Sequence, residues 1–126
     1  MCLQLFFVSI CFLHPSIPSL LSVLCLSRHD VCDDGALQFD SHVATLSQDV
    51  WAFKAPLPKV DAKFLMGKPG CDNRIAYEFR RAGLRVNNPA YSIMAAHLHM
   101  SQKRNYTHGK DTVPGPYALV VPVVAL

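Results

Sequence analysis

A chain of 126 residues, 51% apolar and +3 in net charge, has room for one small domain and one core. That apolar content excludes a disordered or highly charged tail. Lys and Arg pair only at Arg80-Arg81 and Lys103-Arg104, so there is no basic stripe and no nucleic-acid footprint. The five cysteines (Cys2, Cys11, Cys25, Cys32 and Cys71) are odd in number and form no CxxC pair, which argues against a zinc finger and for free thiols.

Residues 1–19 form an apolar N-terminal segment. No Lys or Arg precedes the run, so the positive start of a signal peptide is missing. Pro15 and Pro18 interrupt it before it reaches the roughly 20 residues of a spanning helix. Three readings stand side by side: a signal-like segment, buried structure, or a stretch not native to the fold behind a misplaced start. Membrane association through residues 3–24 is a further reading. The secretory pathway, a membrane and the cytoplasm all stay open.

Leu20 to Leu26 is a continuous apolar run with the length of a strand buried on both faces. Ser27-Arg28-His29-Asp30 reads as its polar exit, and residues 30–49, rich in Asp, Ser, Gly and His, read as loop. Val50 to Phe53 is a second strand, closed by the prolines of Ala55-Pro56-Leu57-Pro58. Ala62 to Met66 is a brief extended or helical piece.

Lys68 to Gly83, KPGCDNRIAYEFRRAG, is the most legible element. A Pro69-Gly70 turn leads into Asp72 and Asn73, both of helix-capping type. Ile75, Ala76, Phe79 and Ala82 recur on one helical face, and Gly83 supplies the stop. Val86-Asn87-Asn88-Pro89 reads as a turn, Tyr91 to Met100 as a strand, and the tail as loop with a short apolar end at Leu119 to Val121.

Several residues carry candidate chemistry. A carboxylate at a helix start, Asp72, either caps the helix or serves as a base in a cleft. His97 and His99, two apart on a strand, face the same side and either share a metal or sit half-buried without one. Asp49 and Trp51 form either a loop anchor beside an apolar platform for a ring, or a cap and a core tryptophan. Arg74 and Glu78 are spaced for a solvated helix pair. Cys71 has no histidine beside it in sequence, which leaves a thiol-protease reading weak.

The series Leu26-Ser27-Arg28, Ser47-Gln48-Asp49-Val50-Trp51, Gly67 to Glu78 (GKPGCDNRIAYE), Asn88-Pro89, His97-Leu98-His99 and Arg104-Asn105-Tyr106 resembles the C-terminal half of glycosyltransferase-like proteins of GT-A type. The resemblance covers about residues 20–121, with GCDNRIAYE its most specific block. It implies an α/β fold: a partial GT-A-like (Rossmann-like) mixed sheet with few helices, forming a half domain over residues 20–126. It implies sugar transfer from a nucleotide sugar to a hydroxyl of a glycan or other acceptor. Asp72 matches the general base. Asp49, Trp51, Asn73 and Arg74 fall on the substrate side, and His97 or His99 matches a ligand of a divalent metal, Mn or Mg.

The departures shape the expectation. No Asp-x-Asp precedes Leu26, and Asp33-Asp34 is not that motif. GCDN also lacks the second acid that many acceptor-site motifs carry. The donor-binding half is missing, so the chain reads as a fragment, inactive alone. The alternative is a non-catalytic structural or interaction module that keeps part of the fold.

Overall fold

A computed structural model describes residues 22–98 and 106–124. The expectations for residues 1–19 and for His99 lie outside the described residues. The fold is mixed α/β, with two small mixed sheets and few helices. Its strands are β1 (Ser22–Leu26), β2 (Arg28–Val31), β3 (Leu37–Gln38), β4 (Val50–Phe53), β5 (Arg85–Asn87) and β6 (Ala95–His97). Its helices are α1 (Ser41–Ala44) and α2 (Cys71–Arg81).

β1 is the centre of the first sheet, in the order β4-β1-β5. It runs antiparallel to β4, with Cys25 opposite Trp51, and parallel to β5, with Val23 opposite Val86. Val23 and Cys25 are fully buried, as a strand paired on both edges and covered by a helix requires. Residues 22–24 belong to β1, with Val23 in the core. No helix among the described residues is long and apolar enough to cross a membrane.

α2 covers this sheet. Ile75, Ala76 and Phe79 bury its apolar face against Val23, Trp51, Leu84 and Val86. The helix ends as expected: Gly83 sits at φ +83, Leu84 N–H reaches Phe79 O at 3.0 Å, and Gly83 N–H reaches Arg80 O at 3.0 Å. That is a Schellman closure, which a glycine makes without steric penalty.

The second sheet has the order β3-β2-β6, with β2 parallel to β6 and antiparallel to β3. β2 follows β1 after Ser27 alone. This corrects the reading of residues 28–49 as polar exit and loop, because the chain keeps its extended path and finds new partners. The turn expected at Val86 to Pro89 is also corrected. Val86 is buried in β5, and pairing with β1 overrides local turn chemistry until Asn88. The Tyr91 to Met100 strand shrinks to Ala95–His97 in the described residues, because Ser92 and Ile93 N–H groups bond back to Pro89 O at 2.9 and 2.8 Å. Ala62 to Met66 forms no regular element; it is irregular chain that turns at Met66-Gly67.

Asn88 holds the seam between the sheets. Its Oδ1 accepts from Ser27 N–H at 3.2 Å, and its Nδ2 donates to Ser27 Oγ at 2.7 Å and to Val120 O at 3.1 Å. Ser27 Oγ in turn donates to Ala44 O.

Candidate functional site

The site forms where β1 ends, α2 begins and the second sheet starts. Asp49 N–H bonds Leu26 O at 2.9 Å, which fixes the loop ahead of β4 at the end of β1. Asp72 is the second residue of α2. The chain passes from α2 into β5 through the short closure at Gly83. The helix start therefore lies at the carboxyl end of the parallel pair β1 and β5, the usual place for a ligand in an α/β sheet.

Asp72 is not the helix cap. Gly70 takes that position at φ +80, with no side-chain bond to offer. A Cβ at Gly70 would lie 3.2 Å from the Tyr117 ring and 3.2 Å from Val113 O, so both the backbone and its crowding select glycine. The Asp72 carboxyl is left to other partners. It accepts from the Gln48 backbone N–H and, at 3.6 Å, from the Cys71 thiol.

Burial pushes the Asp72 carboxyl from its ordinary 3.8 up to about 6. The Gln48 and Cys71 hydrogen bonds pull it down, nearby Asp49 adds to the rise, and Arg28 opposes it. Desolvation wins over the donors and over the favourable end of the helix dipole. The adjacent Cys71 thiol is raised to about 11 by burial and by Asp72, so it stays protonated as a donor and is no nucleophile.

His97 closes the site from β6. Its Nδ1 lies 2.5 Å from Asp49 Oδ2. On β2, Arg28 Nε sits 3.0 Å from Asp30 Oδ1. Arg28 is level with Ala95, and Asp30 with His97, in the parallel ladder, so all these residues share one sheet face. Three carboxylates (Asp30, Asp49 and Asp72), an imidazole and a guanidinium converge.

Asp72, Asp49 and His97 are thus brought together, whereas Trp51, Asn73 and Arg74 are engaged elsewhere. Trp51 is buried in the core with its ring centroid 5.6 Å from that of Phe79. Asn73 is buried, and its Nδ2 donates to Thr45 O at 2.9 Å and Ala118 O at 3.2 Å, tying α2 to the chain on either side. Arg74 meets Glu78 at 2.7 Å, but Glu78 is only 2% exposed and also holds Arg81 at 2.7 Å. The pair expected to be solvated is a buried carboxylate clasped by two guanidinium groups.

Arg28 is the member that sequence reasoning passed over. The signal was the alternation Arg28, His29, Asp30 directly after an apolar strand, a period of two that marks a continuing strand with one polar face. Among the described residues no group of three or more His, Cys, Asp or Glu side chains is placed to hold a metal. The described cysteines Cys25, Cys32 and Cys71 are free thiols, as their spacing suggests.

Comparison with protein-family models, with curated proteins and with solved structures yields no match for the chain.

Proposed function

We propose that the chain is the acceptor-binding half of a GT-A-like glycosyltransferase, with Asp72 as its general base. The observation that carries this reading is the Asp72 carboxyl, raised to about 6 at the mouth of a parallel strand pair beside Asp49 and Arg28. At neutral pH such a group is ionised yet a better base than an exposed carboxylate, which suits proton removal from a sugar hydroxyl. As the acceptor oxygen bonds the anomeric carbon of the donor, its proton passes to Asp72. The bond from that carbon to the nucleotide diphosphate breaks, and the diphosphate leaves with the electron pair.

Asp49 orients the His97 ring through Nδ1. A bound Mn or Mg ion would offset the charge of the leaving diphosphate. The described residues complete no such site, and the proton transfer to Asp72 does not depend on it. The test is a glycan array probed with the whole chain. Binding of a saccharide class by the wild type, reduced at least tenfold in Asp72→Asn, is expected; no binding to any glycan contradicts the reading.

A second reading, a non-catalytic interaction module, has its own observation. In the final segment Ala118, Val120 and Pro122 are buried while Tyr117, Leu119, Val121 and Val123 are exposed, an apolar row on alternate residues. Such a row invites strand pairing with another chain. A chain that stays monomeric at high micromolar concentration by sedimentation removes that support.

A further inference from the structure

The two sheets differ in what covers them. α2 lies on the first, where Val23, Cys25 and Val86 are buried. In the second, the ladder sets Val31 opposite Leu37 and His29 level with Ala96. Alternation puts these four on one face and Arg28 and Asp30 on the other. Phe39 joins the first face by stacking on His29 at 4.5 Å between centroids, and Tyr91 meets Phe39 edge-on at 5.3 Å. None of these side chains is buried: Leu37 is 46% exposed and Tyr91 51%, and none belongs to the apolar cluster under α2. An exposed apolar face of this kind marks an interaction surface.

The charges around it have one sign. Asp33 and Asp34 stand in the turn between β2 and β3, Asp40 follows Phe39, and all three are exposed. Asp34 accepts from Ala36 N–H, and Asp40 from the His42 and Val43 N–H groups. Among the described residues none of the three aspartates pairs with a cation. Arg28 is the one Lys or Arg from residue 28 to residue 53, and it is held by Asp30 on the opposite face.

Three occupants can cover such a face, and charge and size decide between them. An anionic membrane surface is repelled by the carboxylates. A second copy, face to face, would oppose like charges. Three strands also make a face only about 10 Å wide, too narrow for the roughly 800 Å² that each partner gives to a stable interface. One helix, about 10 Å across, fits that width. We propose that this face docks a basic amphipathic helix of a partner protein, its apolar stripe on Leu37, Phe39 and Tyr91 and its Lys or Arg residues beside Asp33, Asp34 and Asp40. The proposal is independent of the sugar-transfer reading.

The probe is a synthetic peptide of about 14 residues with Leu on one helical face and Lys on the rest, titrated into the whole chain by calorimetry. Saturable binding is expected, about tenfold tighter than that of a Leu/Glu peptide of the same pattern. Leu37→Ser, at an exposed position, should weaken it about fivefold with an unchanged melting temperature. Asp33→Asn with Asp34→Asn should weaken it about fivefold and flatten its dependence on salt. The asparagine at 34 can still accept from Ala36 N–H, which keeps the turn. No binding of the Leu/Lys peptide overturns the proposal, as does equal binding of the Leu/Glu peptide or equal binding by Leu37→Ser. Self-association of the chain, or binding to phosphatidylserine vesicles, that is lost in Leu37→Ser also overturns it, in favour of a second copy or a membrane.

Discussion

Asp49 and His97 meet at 2.5 Å and join the loop that enters the first sheet to the last strand of the second. With Asn88 at the seam, this contact sets the position of the β6 end relative to the Asp72 carboxyl. Both side chains are about a quarter exposed. Solvent therefore limits their coupling to about 0.5–1 kcal/mol. A double-mutant cycle of Asp49→Asn and His97→Gln in chemical denaturation should return that coupling, smaller in 1 M salt. A coupling of zero would show that the pair does not hold the sheets in register.

Asp72→Asn should stabilise the protein at neutral pH. A carboxyl whose value rises from 3.8 to about 6 on folding favours the fold when protonated. That contribution is complete below about pH 4 and is lost as pH rises through 6. The asparagine removes the cost and still accepts from Gln48 N–H. A gain of about 1–2 kcal/mol is expected at pH 7, allowing for partial solvent contact, and none at pH 4. Denaturant midpoints at the two pH values check it, alongside the loss of saccharide binding.

Asn88→Ala should be severe. It strips the partner from the buried Ser27 N–H and Val120 O and leaves a void at the seam. The expected loss is about 3 kcal/mol, read from urea midpoints. Asn88→Asp keeps the shape and the Ser27 N–H bond but cannot donate to Val120 O, and should recover only part of that loss.

Gly70→Ala should cost about 1–3 kcal/mol, because φ +80 disfavours any Cβ and this one would press on Tyr117 and Val113 O. Gly35→Ala shares the positive φ without the crowding and should cost less. Thermal melts of the two variants separate backbone strain from contact.

The elements readable in advance are those whose signal is local. β1 and β4 announce themselves as apolar runs, and α2 by its buried stripe and glycine stop. β2, β3, β5 and β6 are short, and β5 and the β2–β6 pair depend on partners far along the chain, so Val86 looked like a turn until paired with Val23. The site follows the same division. Asp72, Asp49 and His97 stood out singly, but their convergence is made by pairings 20 or more residues apart. Trp51 and Asn73 stood out too, and only the packing shows that the core claims the indole and the carbonyls of Thr45 and Ala118 claim the amide.

The central claim is that Asp72 is a desolvated base facing a sugar hydroxyl. Its most direct test is a carbon-13 NMR titration of the Asp72 carboxyl, with and without a saccharide selected on the glycan array. The account predicts a midpoint near 6 that moves when the saccharide is added. A midpoint near 4, unmoved by saccharide, would contradict it.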